Sequence, residues 1–590
     1  MKTKNHSLEI VPKYQKRTAF YINIKLVIVV MAISFVGLLL TMPRGINIYD
    51  EGIIVVDAMR MMYGDIPHRD FYSNYGPAQY AIVAGLFEIF GLKIMVARIY
   101  GLAVEAAIVG MIFHILSRRV GTAMTVGAAI FACMWFFASP LVLYPIFPCI
   151  LLALIGSNLL QTKSGRLPNY NRLLFAGICT GFATLFRYDV GFFLMIANLA
   201  ALTLLTRIVL NDSIKVDAKY LIKAVLTYGF GISIIFLPVA AAFLLKAPLQ
   251  TFLSDIVEYP TKYYAQMRSL PFPGLHMLMQ HPSEAIVYLP YLSCGLAAFQ
   301  IWRLVWSGQQ PRTSHTDYKN VDREVAFLTI FGFLTFALFF KGLVRVSSIH
   351  MLMANIPALL VMASLVNSWW GAGSALKTIA ALISLSLAIP TADGTYREIR
   401  ADVTDVSRPF VGWFLGEMGL SAFVRSEPDG CTEIQKETAV TTPIDYLRVA
   451  RYIASRTKPS ERIFVGLDRH DKIFVNPVAL YFVAGRMPAT HWHHFDPGLQ
   501  TRADIQLKMI TDLKEDKTKW LILDSSFDGA NEPNKSSISS HVKILDDYIK
   551  SNFRTVAGSG NVMILLANNV ENYNHSERNI PIECIAESRK

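Results

Sequence analysis

Up to about residue 392 the apolar positions form long continuous runs broken by short polar stretches. Runs of roughly 17–25 apolar residues are what a helix needs to cross a bilayer. They fall at 24–42, 97–116, 121–139, 141–160, 172–187, 190–207, 222–244, 284–305, 324–340, 349–367 and 375–391, which predicts about eleven transmembrane helices. Basic residues sort the ends of these runs. Lys2, Lys4, Lys13, Lys16, Arg17 and Lys25 precede the first. With eleven spans, Arg118-Arg119, Lys163/Arg166/Arg172, Arg207/Lys215/Lys219/Lys223 and Arg303/Arg312/Lys319/Arg323 share that side, which the positive-inside rule makes cytoplasmic. The polar, basic first 25 residues, with no small-x-small site after the first run, predict no cleaved signal peptide.

One stretch imitates a span. Counting Tyr75–Gly91 as one would invert every later loop, and it contains Glu88 and opens with Gly-Pro. It is expected to be an interfacial or re-entrant helix on the outer face. Segment 52–64 has helical apolar spacing and predicts a second interfacial helix.

Beyond 392 the pattern changes. Helix-like pieces at 443–456, 476–484, 502–515 and 540–552 alternate with strand-like pieces at 462–466, 520–524 and 562–566. That reads as a small α/β domain, placed outside the cytoplasm by the odd span count. The expected organisation is a cytoplasmic segment 1–25, a transmembrane domain 26–391 with an outer loop 43–96, a linker 392–441, an extracytoplasmic α/β domain 442–568 and a polar tail 569–590.

Composition agrees. The chain is 53% hydrophobic and 17% charged, with mean hydropathy +0.38, which excludes a large soluble enzyme. The net charge of +12 is accounted for by cytoplasmic loops, and no basic face suits nucleic acid. Cys133, Cys149, Cys179 and Cys294 lie in apolar runs as small packed residues. Cys431 and Cys584 flank the polar region and suit either a disulfide or two thiols.

The candidate chemistry starts directly after the first run, with Tyr49-Asp50-Glu51-Gly52, then Asp57, Arg60, Asp65, His68, Arg69, Asp70, Tyr72 and Tyr75-Gly76-Pro77. Carboxylates at a membrane boundary are costly unless they act. Two further outer segments are rich in charge and aromatics: 245–283, with Glu258, Lys262, Tyr263, Tyr264 and Arg268, and Lys341–Arg345 followed by His350. A phosphate-binding Gly-rich loop, a Ser–His–Asp signature and a Cys-based metal spacing are absent from the sequence.

The acid pair at the end of the first helix, the interfacial helices, YGPAQY…LFEIFG, the many spans and the outer α/β domain together resemble the GT-C class of integral-membrane glycosyltransferases. Within it the chain is similar to the bacterial aminoarabinose/mannosyl transferase and RgtA/B/C/D-like branch. The resemblance covers the N-terminal half and the overall layout; RIFVGLDRHDKIFVN and EPNKSS in the C-terminal domain look like a bacterial subgroup. It implies an inverting enzyme of the bacterial inner membrane. Such an enzyme moves sugar from a polyprenyl-phosphate donor to an extracytoplasmic glycan, lipid or protein acceptor of the cell envelope.

The resemblance makes Asp50 the general base on the acceptor hydroxyl, with Glu51 as understudy; the alternative is a solvated pair of acids at a helix end. Asp70 would position sugar, or join Asp50 on a divalent cation such as Mg2+ or Mn2+, with a salt bridge to Arg69 as the alternative. Arg345 and His350 suit the leaving lipid phosphate, a guanidinium matching its oxygens in pairs, against headgroup snorkelling. Tyr75 and Arg187 are further substrate contacts, against a self-satisfied Arg187–Asp189 pair. His491-Trp492-His493-His494 reads either as a metal site or as incidental surface histidines. Two other classes fit a polytopic chain: a transporter or flippase of a lipid-linked sugar, and a non-catalytic scaffold. Transporters commonly show paired repeats, and none is visible.

The topology is testable by cysteine labelling of spheroplasts in a cysteine-free background. A membrane-impermeant maleimide is expected to label Ser551→Cys directly, and Ser164→Cys only after the membrane is opened. The reverse pattern would invert the assignment.

Overall fold

A computed structural model describes residues 24–43, 45–137, 141–161, 167–209, 218–306, 315–370, 374–405 and 442–570. Each of the eleven predicted spans lies on a helix. Eight of these are long and apolar enough to cross a bilayer, which makes the chain a multi-pass membrane protein. The helices Thr122–Phe137, Ile146–Leu160 and Tyr170–Phe186 are shorter. The last helix of the bundle, Ser374–Asp405, continues past 391 and carries Pro390 inside it. Cys431, Cys584, and most of the expected linker and tail lie outside the described residues.

The first helix, α1 (Ile24–Thr41), presents Ile24, Ile28, Val29, Ile33, Val36 and Leu40 outward, as a lipid-facing helix should. Segment 249–280 is built from short helical pieces, two of them π-helical, at Ser254–Glu258 and Pro260–Tyr264. The bundle has two distinct ends. At one, Arg119 Nη1 donates to the Arg323 carbonyl at 3.0 Å. At the other, Ser348 donates to Glu284, and the Leu270 backbone pairs with that of Arg345. The C-terminal domain sits on this second end.

That domain is a four-stranded sheet: β1 (Phe464–Leu467), β2 (Trp520–Asp524), β3 (Phe553–Ser559) and β4 (Val562–Ala567), in spatial order β1-β2-β4-β3. β1 runs parallel to β2, and the other pairs are antiparallel. Helices Ile444–Arg456, Ala479–Ala484, Ala503–Glu515 and Ile544–Asn552 cover it. β3 has no counterpart among the predicted strands. Its ladder slips between Thr555 and Ala557, which breaks the alternation a strand is read from.

The segment between α1 and the next span holds α2 (Asp50–Met62) and α3 (Pro77–Phe90), followed by α4 (Ile94–Ser117). α3 keeps Ile82, Ile89 and Phe90 exposed, in keeping with an apolar environment. α2 differs from expectation. Residues 51–60 are all buried, so it does not lie on a membrane surface. Its apolar residues Ile53, Ile54, Val55 and Val56 are consecutive and cover its whole circumference, not one stripe. It is packed between α3 and helix Ala479–Ala484 of the C-terminal domain. There Ala479 N–H donates to the Ile48 carbonyl at 2.9 Å, and a Cβ on Gly52 would lie 2.6 Å from the Ala479 nitrogen.

The start of α2 is held by Arg98 of α4. The guanidinium grips Glu51 in a fork, Nε to Oε1 at 2.6 Å and Nη2 to Oε2 at 2.7 Å, with both side chains buried. It also donates to the carbonyls of Pro43 and Gly45 at the exit of α1. Removing one partner of a buried ion pair strands the other charge, at about 3–5 kcal/mol. Arg98→Ala is therefore expected to lower the unfolding temperature in detergent strongly. Gly52→Ala should do so as well, by forcing α2 off the C-terminal domain; wild-type melting of both variants would refute this account.

Candidate functional site

Where α2 begins, the backbone turns on Asn47, whose Oδ1 accepts from the Tyr49 and Asp50 N–H groups at 3.1 and 2.8 Å. Such a turn aims two successive side chains differently. Glu51 goes inward to Arg98. Asp50 stays half-buried with no ion pair among the described residues, where the bundle meets the C-terminal domain. Burial raises its carboxyl above the ordinary value; Arg268 and the Asn47 hydrogen bond oppose the rise, Asp496 adds to it and Arg345 opposes it more weakly.

The groups around this site are mostly cations and tyrosines. Arg268 lies 3.4 Å from Asp496 Oδ1 and is buried. Tyr49 hydroxyl donates to the Phe495 carbonyl and to Asp496 at 2.8 and 3.0 Å, and Tyr259 hydroxyl to the Pro497 carbonyl at 3.0 Å. Segment 495–497 is thus clasped by residues from two loops of the bundle. Arg345 forms a fork with Glu532 of the C-terminal domain, with Nη1 at 2.9 Å, and donates to the Arg268 carbonyl at 3.0 Å. His350 is hydrogen-bonded to Ser347 Oγ at 2.7 Å, with Arg345, Lys341, Arg268 and Arg187 all near enough to act on its charge.

Arg187 occupies the adjacent position. It forks onto Asp189 at 3.0 and 2.8 Å, donates to Tyr144 at 2.9 Å, and lies 5.0 Å from the Tyr75 ring centre. Lys341 approaches the same Asp189 at 3.3 Å. Gly76 is needed here, because a Cβ would meet the Leu185 carbonyl at 2.1 Å.

Of the residues singled out in sequence, Asp50, Arg345, His350, Arg187 and Tyr75 belong to this one region. Glu51 is bound to Arg98 beneath it. Asp70 is bound to Arg69 at 2.6 Å and accepts from Ile66 N–H at 2.7 Å. Among the described residues no hydrogen bond or ion pair joins it to Asp50, so the two carboxylates have separate partners. Arg345 finds a carboxylate partner, and not only lipid headgroups, because the C-terminal domain reaches down to it. His493 and His494 are not surface residues; both are fully buried against α2.

Glu532 opens the EPNKSS segment and Asp496 opens the Asp496-Pro497-Gly498 turn, with Gly498 at φ +82°, but neither pattern pointed to an arginine partner in the bundle. Their importance lies in where distant parts of the chain meet.

The four cations Arg187, Arg268, Lys341 and Arg345 face the carboxylates Asp189, Asp496 and Glu532, leaving Asp50 without an ion-pair partner. This arrangement can bind an anion by exchange of partners, and it holds one carboxylate ready to take a proton.

No protein-family model matches the chain, and no curated protein matches it in sequence. Among solved structures it is similar to ArnT from Cupriavidus metallidurans bound to undecaprenyl phosphate, at 13% identity and TM-score 0.45, over 92% of this chain and 97% of that one. It is also similar to the archaeal oligosaccharyltransferase AglB from Archaeoglobus fulgidus in complex with an inhibitory peptide and a dolichol-phosphate, at 11% identity and TM-score 0.45, over 85% and 70%.

The raised Asp50 carboxyl has a thermodynamic consequence. The native state holds this proton more tightly than the unfolded chain, whose aspartates titrate near ~3.9. The ionised carboxylate therefore costs stability above the native value, and the cost vanishes as pH falls towards ~3.9. Asp50→Asn is expected to melt above wild type at pH 7, with the gap closing as the buffer is acidified; a pH-independent gap would refute the shift.

Proposed function

We propose that the chain is a membrane glycosyltransferase that moves a sugar from a polyprenyl-phosphate donor to an extracytoplasmic glycan, lipid or protein acceptor, with inversion at the anomeric carbon. The observation that carries this reading is the isolation of Asp50: among the described residues Asp189, Asp496 and Glu532 nearby are ion-paired, and Asp50 is half-buried and raised beside a row of cations without a pair of its own.

The chemistry follows from that asymmetry. Asp50 accepts the proton of the acceptor hydroxyl as its oxygen attacks the anomeric carbon from the face opposite the phosphate. The bond from that carbon to the phosphate oxygen breaks, and polyprenyl phosphate departs with the electron pair. A base near its operating pH is more effective than a fully acidic one, which gives the raised carboxyl a use. Arg345 and Arg268 offer forked and charged donors to the phosphate as negative charge grows on it, and Arg187 and Lys341 extend the cationic row. Tyr75 and Tyr144 supply flat faces suited to a sugar ring. Glu51 is assigned a positioning role through Arg98, and Asp70 a role in shaping the loop around 66–70. In this reading the site lies at the outer face of the bacterial inner membrane.

Turnover of a panel of polyprenyl-phosphate sugars by the purified protein in detergent, with a membrane extract as acceptor source, tests the assignment. Wild type is expected to release polyprenyl phosphate from one donor. Asp50→Asn should lose roughly 10²–10⁴-fold with folding intact, the usual contribution of a general base. Full activity in that variant would remove Asp50 from the role, and no release from any donor would favour lipid-linked sugar transport.

A further inference from the structure

Two turns along α2 from Asp50 lies a second group of polar side chains that the first site does not use. Asp57 of α2, and His493 and His494 of the C-terminal domain, are all buried, with side-chain exposure of zero for Asp57 and His493. One ligand atom from each falls within 4.8 Å of the others. Asp57 Oδ1 and His493 Nε2 are 2.6 Å apart. The remaining oxygen, Asp57 Oδ2, and both ring nitrogens of His494 meet no hydrogen-bond partner within 3.5 Å among the described residues.

Three orphaned polar atoms in one buried spot are uncommon, since buried polar groups nearly always find partners. The surroundings are mostly aromatic; the Tyr80 hydroxyl reaches the Asp57 carboxyl and is shared with Ser73 Oγ at 3.1 Å, and nothing of the kind reaches His494 among the described residues. His494 is packed on the Tyr72 ring at 4.8 Å and edge-on to His493 at 5.1 Å, and Phe71 borders His493 at 5.8 Å. We propose that Asp57, His493 and His494 form a transition-metal site, of the zinc class, that joins the C-terminal domain to the helix carrying Asp50.

The donor set selects the metal. Two imidazoles and one carboxylate suit zinc, whereas magnesium and calcium want all-oxygen shells. Bond lengths of roughly 2.0–2.2 Å put tetrahedral ligand atoms roughly 3.3 Å apart, which rotation of Asp57 towards its free oxygen brings within reach. The ligands must present lone pairs, and both ring nitrogens of His494 are left open for that among the described residues. The ring of His493 also hydrogen-bonds the His491 backbone, the kind of outer contact that fixes the tautomer of a ligating histidine. The nearest cation, Arg60, approaches His493 Nδ1 at 3.5 Å, and its charge is taken up by Asp65 at 2.8 Å. Two of the three ligands belong to the C-terminal domain and one to the bundle segment, so metal bound here would hold the two parts together.

Metal content decides the matter independently of any transferase activity. The full chain, purified in detergent without chelator, is expected to carry close to one zinc per molecule by elemental analysis. His494→Ala and Asp57→Asn should each retain less than a tenth of that, while His541→Gln, altering an exposed histidine elsewhere, should retain all of it. As a second measurement, zinc returned to chelator-stripped protein should raise the melting temperature of wild type and leave that of His494→Ala unchanged. Wild-type zinc no higher than in His494→Ala, with native circular dichroism for both, would overturn the site, as would equal thermal shifts in the two proteins.

Discussion

The buried fork between Glu51 and Arg98 is the interaction on which the rest of the site depends. It connects the exit of α1, the start of α2 and the start of α4 through a single guanidinium, which also takes the Pro43 and Gly45 carbonyls. A buried ion pair gives little net stability, because both charges are desolvated. What it gives here is a fixed direction. With Glu51 committed to Arg98 and the backbone turned on Asn47, the neighbouring Asp50 has one way to point, towards Arg268 and Arg345.

The C-terminal domain completes that site. Asp496 and Glu532 meet Arg268 and Arg345, and residues 495–497 are held by Tyr49 and Tyr259. Each guanidinium therefore has a protein carboxylate that any incoming anion must displace or share. Arg187 has an equivalent in Asp189, which comes from its own helix end. With Lys341 beside Asp189 there are four cations to three paired carboxylates, and the number of donors converging there suits an anion.

Much of this was legible in the sequence, for reasons that differ by element. The spans announce themselves because a bilayer demands long unbroken apolar runs. Asp50 stood out because a carboxylate beside such a run is costly. β1, β2 and β4 were readable as compact apolar blocks, while β3 was hidden by its bulge. The burial of α2 was not readable. Segment 52–64 as a whole reads as an amphipathic helix, while Ile53–Val56 puts apolar side chains all round it, and the approach of Ala479 shows what covers them. His493 and His494 were ambiguous for the same reason. Nothing local tells a surface histidine from a buried one when the covering helix lies 436 residues away in the chain.

Gly52 sets a tolerance for the whole arrangement. The gap between α2 and the C-terminal domain is smaller than one methyl group, since a Cβ at this position would fall 2.6 Å from a backbone nitrogen. The spacing of the two parts is fixed by an absent atom, two residues from the Asp50 carboxylate. A larger residue at 52 would have to push the two parts apart, lifting Asp496 and Glu532 from Arg268 and Arg345, so the glycine works as a gauge between them.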